Sequence, residues 1–96
     1  MSAIAATKSG TQTAGVASAV LAVKNIGRRE ITVVNDHATN IMYVQLAVVD
    51  GTAPTAVVGQ GIRLNAAGGS WTSTQWKGAV ACIATGADTV YTIAEF

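Results

Sequence analysis

Short runs of β-branched and small apolar residues, each cut off by a turn signal, constrain this chain more than any other feature of its sequence. "SAVLAV" (18–23) gives way to "NIGRR", and "EITVVN" (30–35) gives way to "NDHATN". The Asn, Asp and Ser-type residues in such breaks bond their own backbone and favour turns. "IMYVQLAVV" (41–49) runs into "DGTAPT", which carries an Asp-Gly turn signal and Pro54. "AVVG" and "GIRL" read as short strands around Gly59 and Gly61, and "NAAGG" (65–69) as the turn after them. "SWTSTQW", "AVACIA" and "TVYTIAEF" then follow as strands, separated by "KG" and "TGAD". Breaks at roughly every eight to twelve residues predict an all-β fold. The expected form is a small antiparallel β-sandwich or barrel of about seven to eight short strands. Apolar residues repeat at helical spacing only over residues 14–24, where Val16 and Val20 with the alanines leave a helix open beside the strand reading.

The 96 residues suit one domain. Residues 1–17 are small and polar without a period and read as a flexible N-terminal arm, leaving 18–96 as a single β-sandwich domain. Charged residues make up 11% of the chain, against roughly 25% in an average soluble domain. A surface so poor in charge is expected to be covered in part by copies of the chain or by a partner. Net charge is +1, and only Arg28 and Arg29 are adjacent among the basic residues, so nucleic acid is not an expected partner. No stretch reaches the roughly 18 apolar residues of a spanning helix, so no membrane partner is expected either. "AGVASAVLAV" lacks the basic start and the small-residue cleavage site of a signal peptide.

The sequence nominates no reacting centre. The glycines of "GQGIRLNAAGGS" lack the Lys of a phosphate loop and lead into a strand rather than a helix. "NAAGG" therefore reads as a hairpin turn, with Gly68 and Gly69 supplying positive φ. His37 reads as a solvent-exposed loop residue, since its neighbour Asp36 points away from it in an extended chain. Asp36, Asp50 and Asp88 fall in turns, where aspartate serves local bonding. The single cysteine, Cys82, reads as a small buried hydrophobe within "AVACIA". No catalytic residue, metal ligand, cofactor or small-molecule substrate is expected.

Strand alternation puts Trp71, Ser73 and Gln75 on one face and Thr72, Thr74 and Trp76 on the other. One tryptophan is then expected in the core, and the other either at an interface or on a second buried face. Arg63 is expected to face outward and to pair with Glu95 or Glu30, and Phe96 to insert into the core or a neighbour.

Several short patterns recur in order: Asn25 with Arg28, Asn35, Gly61 to Leu64, Gly68-Gly69 before Trp71, Gly78 to Val80, and the closing Glu95-Phe96. In this series the chain resembles small structural proteins, and C-terminal modules, of tailed bacteriophage particles. The resemblance spans residues 23–96 and lacks the usual proline of the first turn, where this chain has "NIGRR". It implies a β-sandwich-like, non-enzymatic component of the virion, made in the host cytoplasm. The first expectation is a capsid decoration (cement) protein that binds the major capsid protein or another virion protein, as a homo-oligomer for which a trimer is the guess. The other is a tail or fibre module that adheres to a host-surface glycan through Trp71, Trp76, Tyr43 or Tyr91. Candidate partner-contact residues are Arg28, Arg29, Trp71, Trp76 and Phe96.

Overall fold

A computed structural model describes residues 8–48 and 52–96, and every element in it is a β-strand. In chain order they are β1 (Lys8–Ala14), β2 (Ala19–Ala22), β3 (Ile31–Asn35), β4 (Met42–Leu46), β5 (Ile62–Leu64), β6 (Ser70–Ser73), β7 (Val80–Ala84) and β8 (Thr89–Glu95). They form two four-stranded antiparallel sheets, sheet A in the order β1-β8-β3-β6 and sheet B in the order β2-β7-β4-β5. The expected all-β antiparallel architecture is therefore present.

The sandwich begins earlier than the sequence suggested. Residues 8–14, expected within an arm, pair along their whole length with β8, from Lys8 opposite Glu95 to Ala14 opposite Thr89. The exposed Thr11 and Thr13 side chains suit a solvated sheet face, which is why the segment lacks an apolar signal. Residues 1–7 of that expected arm lie outside the described part. "AVVG" is no strand: Val57 to Gly59 fall in a turn that Gln60 N–H closes on the Val57 carbonyl.

Every connection except β4–β5 carries the chain from one sheet to the other. "NAAGG" and "KG" are thus crossings between sheets rather than hairpin turns. In the first, Ala67 N–H donates to the His37 carbonyl and Gly68 N–H to the Asn35 carbonyl, so the crossing is seated on the β3–β4 turn. Positive φ falls on Ala67 (58°) and Gly68 (108°), not on Gly69. Gly69 is needed for a different reason: a Cβ there would lie 2.3 Å from the Asn65 nitrogen.

Alternation decides what each strand buries. On β3, Ile31, Val33 and Asn35 face inward, and on β8 Tyr91 and Ile93 do the same. They meet Leu21, Met42, Val44, Leu64, Val80 and Cys82 from sheet B in one core. A bulge between Val20 and Ala22 lets the consecutive residues Leu21 and Ala22 both turn inward. Cys82 is a buried thiol within that core, as the apolar run implied. β7 is buried along its whole length because its outward residues Ala81 and Ile83, with Tyr43, are sealed by Ala56 from the β4–β5 connection. Ser18 Oγ pins that cover by accepting the Ala56 N–H at 2.8 Å. Among the described residues sheet A has no such cover.

Tyr91 sits in the core at 4% exposure. Burial, and secondarily the nearby Cys82 thiol, push its phenol from 10.0 up to about 12. The unfolded chain would ionise this group near pH 10 and the folded chain only near pH 12, so the folded state holds the proton more tightly. The resulting stability is complete below pH 10 and is lost as pH rises from 10 through 12. Melting of the native protein is expected to fall more steeply with pH across that window than melting of Tyr91→Phe. Equal slopes in the two proteins would contradict the assignment.

Candidate interaction surface

Four of the five residues singled out as partner contacts, Arg28, Arg29, Trp76 and Phe96, converge on one pole of the sandwich. The chain reaches that pole after β2, where Asn25 shapes the turn. Asn25 Oδ1 accepts the Gly27 N–H at 3.1 Å, and the Asn25 carbonyl accepts the Arg28 N–H at 3.0 Å. The Asn25 N–H in turn donates to the Lys77 carbonyl at 2.8 Å. This turn swings Arg28 inward, where it is 1% exposed.

Arg28 therefore offers nothing to a partner, contrary to the expectation from sequence. Its Nε donates to Glu95 Oε2 at 2.6 Å. Nη1 donates to the carbonyls of Trp76 (3.1 Å) and Gly78 (2.9 Å), and Nη2 to the carbonyl of Val23 (2.8 Å). Glu95 belongs to sheet A, whereas Val23 follows β2 and Gly78 precedes β7 of sheet B. One guanidinium thus ties the two sheets together. Lys77 Nζ closes the group from outside by donating to the Arg28 carbonyl. Arg29 is exposed, but its N–H donates to the Phe96 carbonyl at 2.7 Å, while Phe96 N–H donates to the Glu30 carbonyl at 2.9 Å.

Glu95 pairs with Arg28, and Arg63 reaches neither Glu95 nor Glu30. Arg63 is exposed, and its Nε donates to Asn65 Oδ1 at 2.7 Å.

Both tryptophans are half-buried and pack against the same core. The expected split between two faces fails because β6 stops at Ser73. Ser73 Oγ accepts the N–H groups of Gln75 and Trp76, which ends the alternation and turns Trp76 back inward. Trp76 Nε1 then donates to the Ala79 carbonyl at 3.3 Å. Gly78 lies so close beneath the Trp76 ring that a Cβ there would come within 2.9 Å of it. Phe96 is half-buried, and the register that sets Ile31 opposite Glu95 places Phe96 opposite Glu30, on the solvent side of sheet A.

The opposite pole is built on Asn35, which is fully buried. Its Nδ2 donates to the carbonyls of Asn40 (2.9 Å) and Leu64 (3.0 Å), and its Oδ1 accepts the His37 N–H at 3.1 Å. His37 is half-buried rather than a freely exposed loop residue. Its Nδ1 accepts the N–H groups of Thr39 (3.1 Å) and Asn40 (2.9 Å), a structural use of the ring. Sequence reasoning missed Asn35 and Asn40 as joints, although an Asn closing the β-branched run "ITVV" was a signal for one. Among the described residues no group of three or more His, Cys, Asp or Glu side chains gathers as a metal site would require.

The outward positions of sheet A form its remaining surface. β8 presents Val90, Thr92 and Ala94, and the central neighbour β3 presents Thr32 and Val34. Thr11 and Thr13 of β1 and Ser70 and Thr72 of β6 extend the same rows to both edges. The Thr32 and Thr72 hydroxyls bond to each other at 3.0 Å across the strands. Not one of these positions is charged.

No protein-family model, no curated protein and no solved structure matches this chain.

Truncating Glu95 leaves the Arg28 cation buried without its counter-ion, a defect that costs about 3–5 kcal/mol. Glu95→Ala is expected to lose that much stability, read as a melting shift of about 4–8 °C for each kcal/mol. Arg63→Ala, an exposed pair, is expected to change stability by less than about 0.5 kcal/mol. Equal losses in the two variants would contradict the assignment of Glu95 to Arg28.

Proposed function

We propose that this chain is a non-enzymatic structural protein of a tailed bacteriophage particle, a capsid decoration protein that binds the major capsid shell and stabilises it. The observation that carries this reading is the contrast between the two outer faces of the sandwich. Sheet B is covered by the chain's own Ala56, whereas among the described residues nothing covers sheet A, whose outward strand positions carry hydroxyl and small apolar side chains. A bare face of that kind suits contact with another protein surface better than exposure to water.

The patterns on which the resemblance rests have mechanical roles here. Asn25 shapes the turn that carries Arg28, Arg28 engages Glu95, Asn35 carries the opposite joint, and Gly69 and Gly78 permit close packing beside Asn65 and Trp76. A scaffold fixed at both poles fits a structural part. Such a protein acts by number: each copy contributes a modest contact, and many copies around closed symmetry hold a shell together.

Adhesion to a glycan is the weaker reading. Stacking on a sugar needs an exposed aromatic ring, yet Tyr43 and Tyr91 are buried and both tryptophans lean on the core.

Immunogold labelling of purified particles, with an antibody against this chain, tests the proposal. Label distributed over the head is the expected outcome. Label confined to tail or fibres would overturn decoration in favour of adhesion, and unlabelled particles would overturn the virion assignment.

A further inference from the structure

His37 is built into the Asn35 pole by both of its backbone polar groups and by one side of its ring. Its N–H donates to Asn35 Oδ1 at 3.1 Å, and its carbonyl accepts the Ala67 N–H at 2.7 Å. Its Nδ1 accepts the N–H groups of Thr39 and Asn40 at 3.1 and 2.9 Å. Two donors converge on Nδ1, so that nitrogen carries no proton and the neutral ring holds its proton on Nε2. An imidazolium donates from both nitrogens and can accept neither bond.

What the ring holds extends beyond its own turn. The Asn40 carbonyl accepts from Asn35 Nδ2, and Asn40 Nδ2 donates to Thr89 Oγ1 at 3.1 Å. Thr89 Oγ1 in turn donates to the Gly86 carbonyl at 2.8 Å. A Cβ on Gly86 would come within 2.4 Å of Asn40 Nδ2, so the β7–β8 crossing lies directly on that side chain. The β5–β6 crossing rests on the same turn through the Ala67 and Gly68 N–H groups. Three connections between the strands therefore depend on where the His37 ring holds Asn40.

We infer that His37 makes this pole acid-sensitive. Protonation of the ring releases the Thr39 and Asn40 amides, opens the β3–β4 turn and loosens the two crossings seated against it, while the Arg28–Glu95 pole stays closed. Histidine takes up its proton between about pH 5 and pH 8, and His37 is the chain's only histidine. The charged groups of the surrounding segments are committed elsewhere or exposed. Asp36 accepts the Thr92 hydroxyl, Arg63 donates to Asn65 Oδ1, and Asp88 of the β7–β8 crossing is exposed. Of the phenols on the neighbouring strands, Tyr91 opposite Asn35 stays in the core, and Tyr43 of β4 lies under Ala56 on the far side of sheet B. Among the described residues no carboxylate pairs with the ring, so the imidazolium gains no partner in place of the two bonds it loses. The inference is independent of the virion reading, since it concerns the isolated chain.

NMR spectroscopy of the purified full chain, taken from about pH 8 down to the pH at which the ring carries both protons, tests the inference. At pH 8 the imidazole nitrogens are expected to show the Nε2–H form; a ring protonated on Nδ1 instead would overturn it. As the ring takes up its second proton, the hydrogen-exchange protection factors of Asn40 and Ala67 are expected to fall about tenfold, while those of Arg29 and Phe96 hold. His37→Asn sets an amide oxygen where Nδ1 stands, so it accepts the same two bonds and does not titrate. That variant is expected to keep the native protection at pH 8 and to retain it in acid. Where the variant folds poorly, the native chain decides alone through the ring form and the exchange at the two poles. Unchanged protection at Asn40 beside a doubly protonated ring would overturn the inference. So would a loss of equal size at both poles, or the same acid loss in His37→Asn.

Discussion

A guanidinium buried to 1% exposure has to be answered on every side, and the answer given to Arg28 organises the whole sandwich. Removing such a group from water costs several kcal/mol, which its partners return only if their geometry is good and all donors are used. Glu95 supplies the counter-charge from sheet A, and three carbonyls flanking the strands of sheet B take the remaining bonds. None of these groups can be satisfied unless β8 has paired with β3 and the β6–β7 crossing has closed over the pole. The interaction consequently specifies one arrangement of two sheets more than it adds net stability. Strands linked almost entirely by sheet-to-sheet crossings need that kind of specification, because few of them are held to a neighbour by a local hairpin.

The polar joint at Asn35 does the equivalent work at the other end. Its amide bridges the Asn40 and Leu64 carbonyls, so the β3–β4 turn and the end of β5 share one side chain. The hydrophobic core between the joints is made mostly of small and medium residues, with Met42, Tyr91, Trp71 and Trp76 as its largest contributors. Such a core fills the gap between sheets but discriminates poorly between registers. The buried polar groups supply the discrimination. The division of labour also leaves the outer surfaces free to specialise, one sealed by Ala56 and the other bare.

Much of this was legible in the sequence, and the losses have identifiable causes. "EITVVN" and "TVYTIAEF" alternate cleanly, and β3 and β8 bury alternate residues as that pattern requires. "AVACIA" reads as a fully apolar strand, and β7 is covered on both faces. Turn residues mark where the chain bends but not which sheet it enters next, so "NAAGG" and "KG" looked like hairpins. β1 was read as part of an arm because its outer face is solvated and its inner face carries Gly10 and Gln12 rather than large apolar residues. Arg28 is expected at a partner contact rather than in an ion pair because its counter-ion lies 67 residues downstream, beyond any local pattern. Trp76 was assigned by an alternation that the Ser73 hydroxyl interrupts. The closing Glu-Phe has no local pattern that gives its role, which is set by the buried Arg28 opposite Glu95.

Amides at the margin of a sheet ordinarily exchange their hydrogens through local opening. If the Arg28–Glu95 group is the joint on which both sheets depend, the amides beside it should behave otherwise. Native-state hydrogen exchange, followed residue by residue, compares the amides of Arg29 and Phe96 at the joint with those of Val33 and Ile93 in the core. The account predicts one opening free energy for all four, equal to that of global unfolding. Arg29 and Phe96 exchanging orders of magnitude faster, while Val33 and Ile93 stay protected, would contradict it.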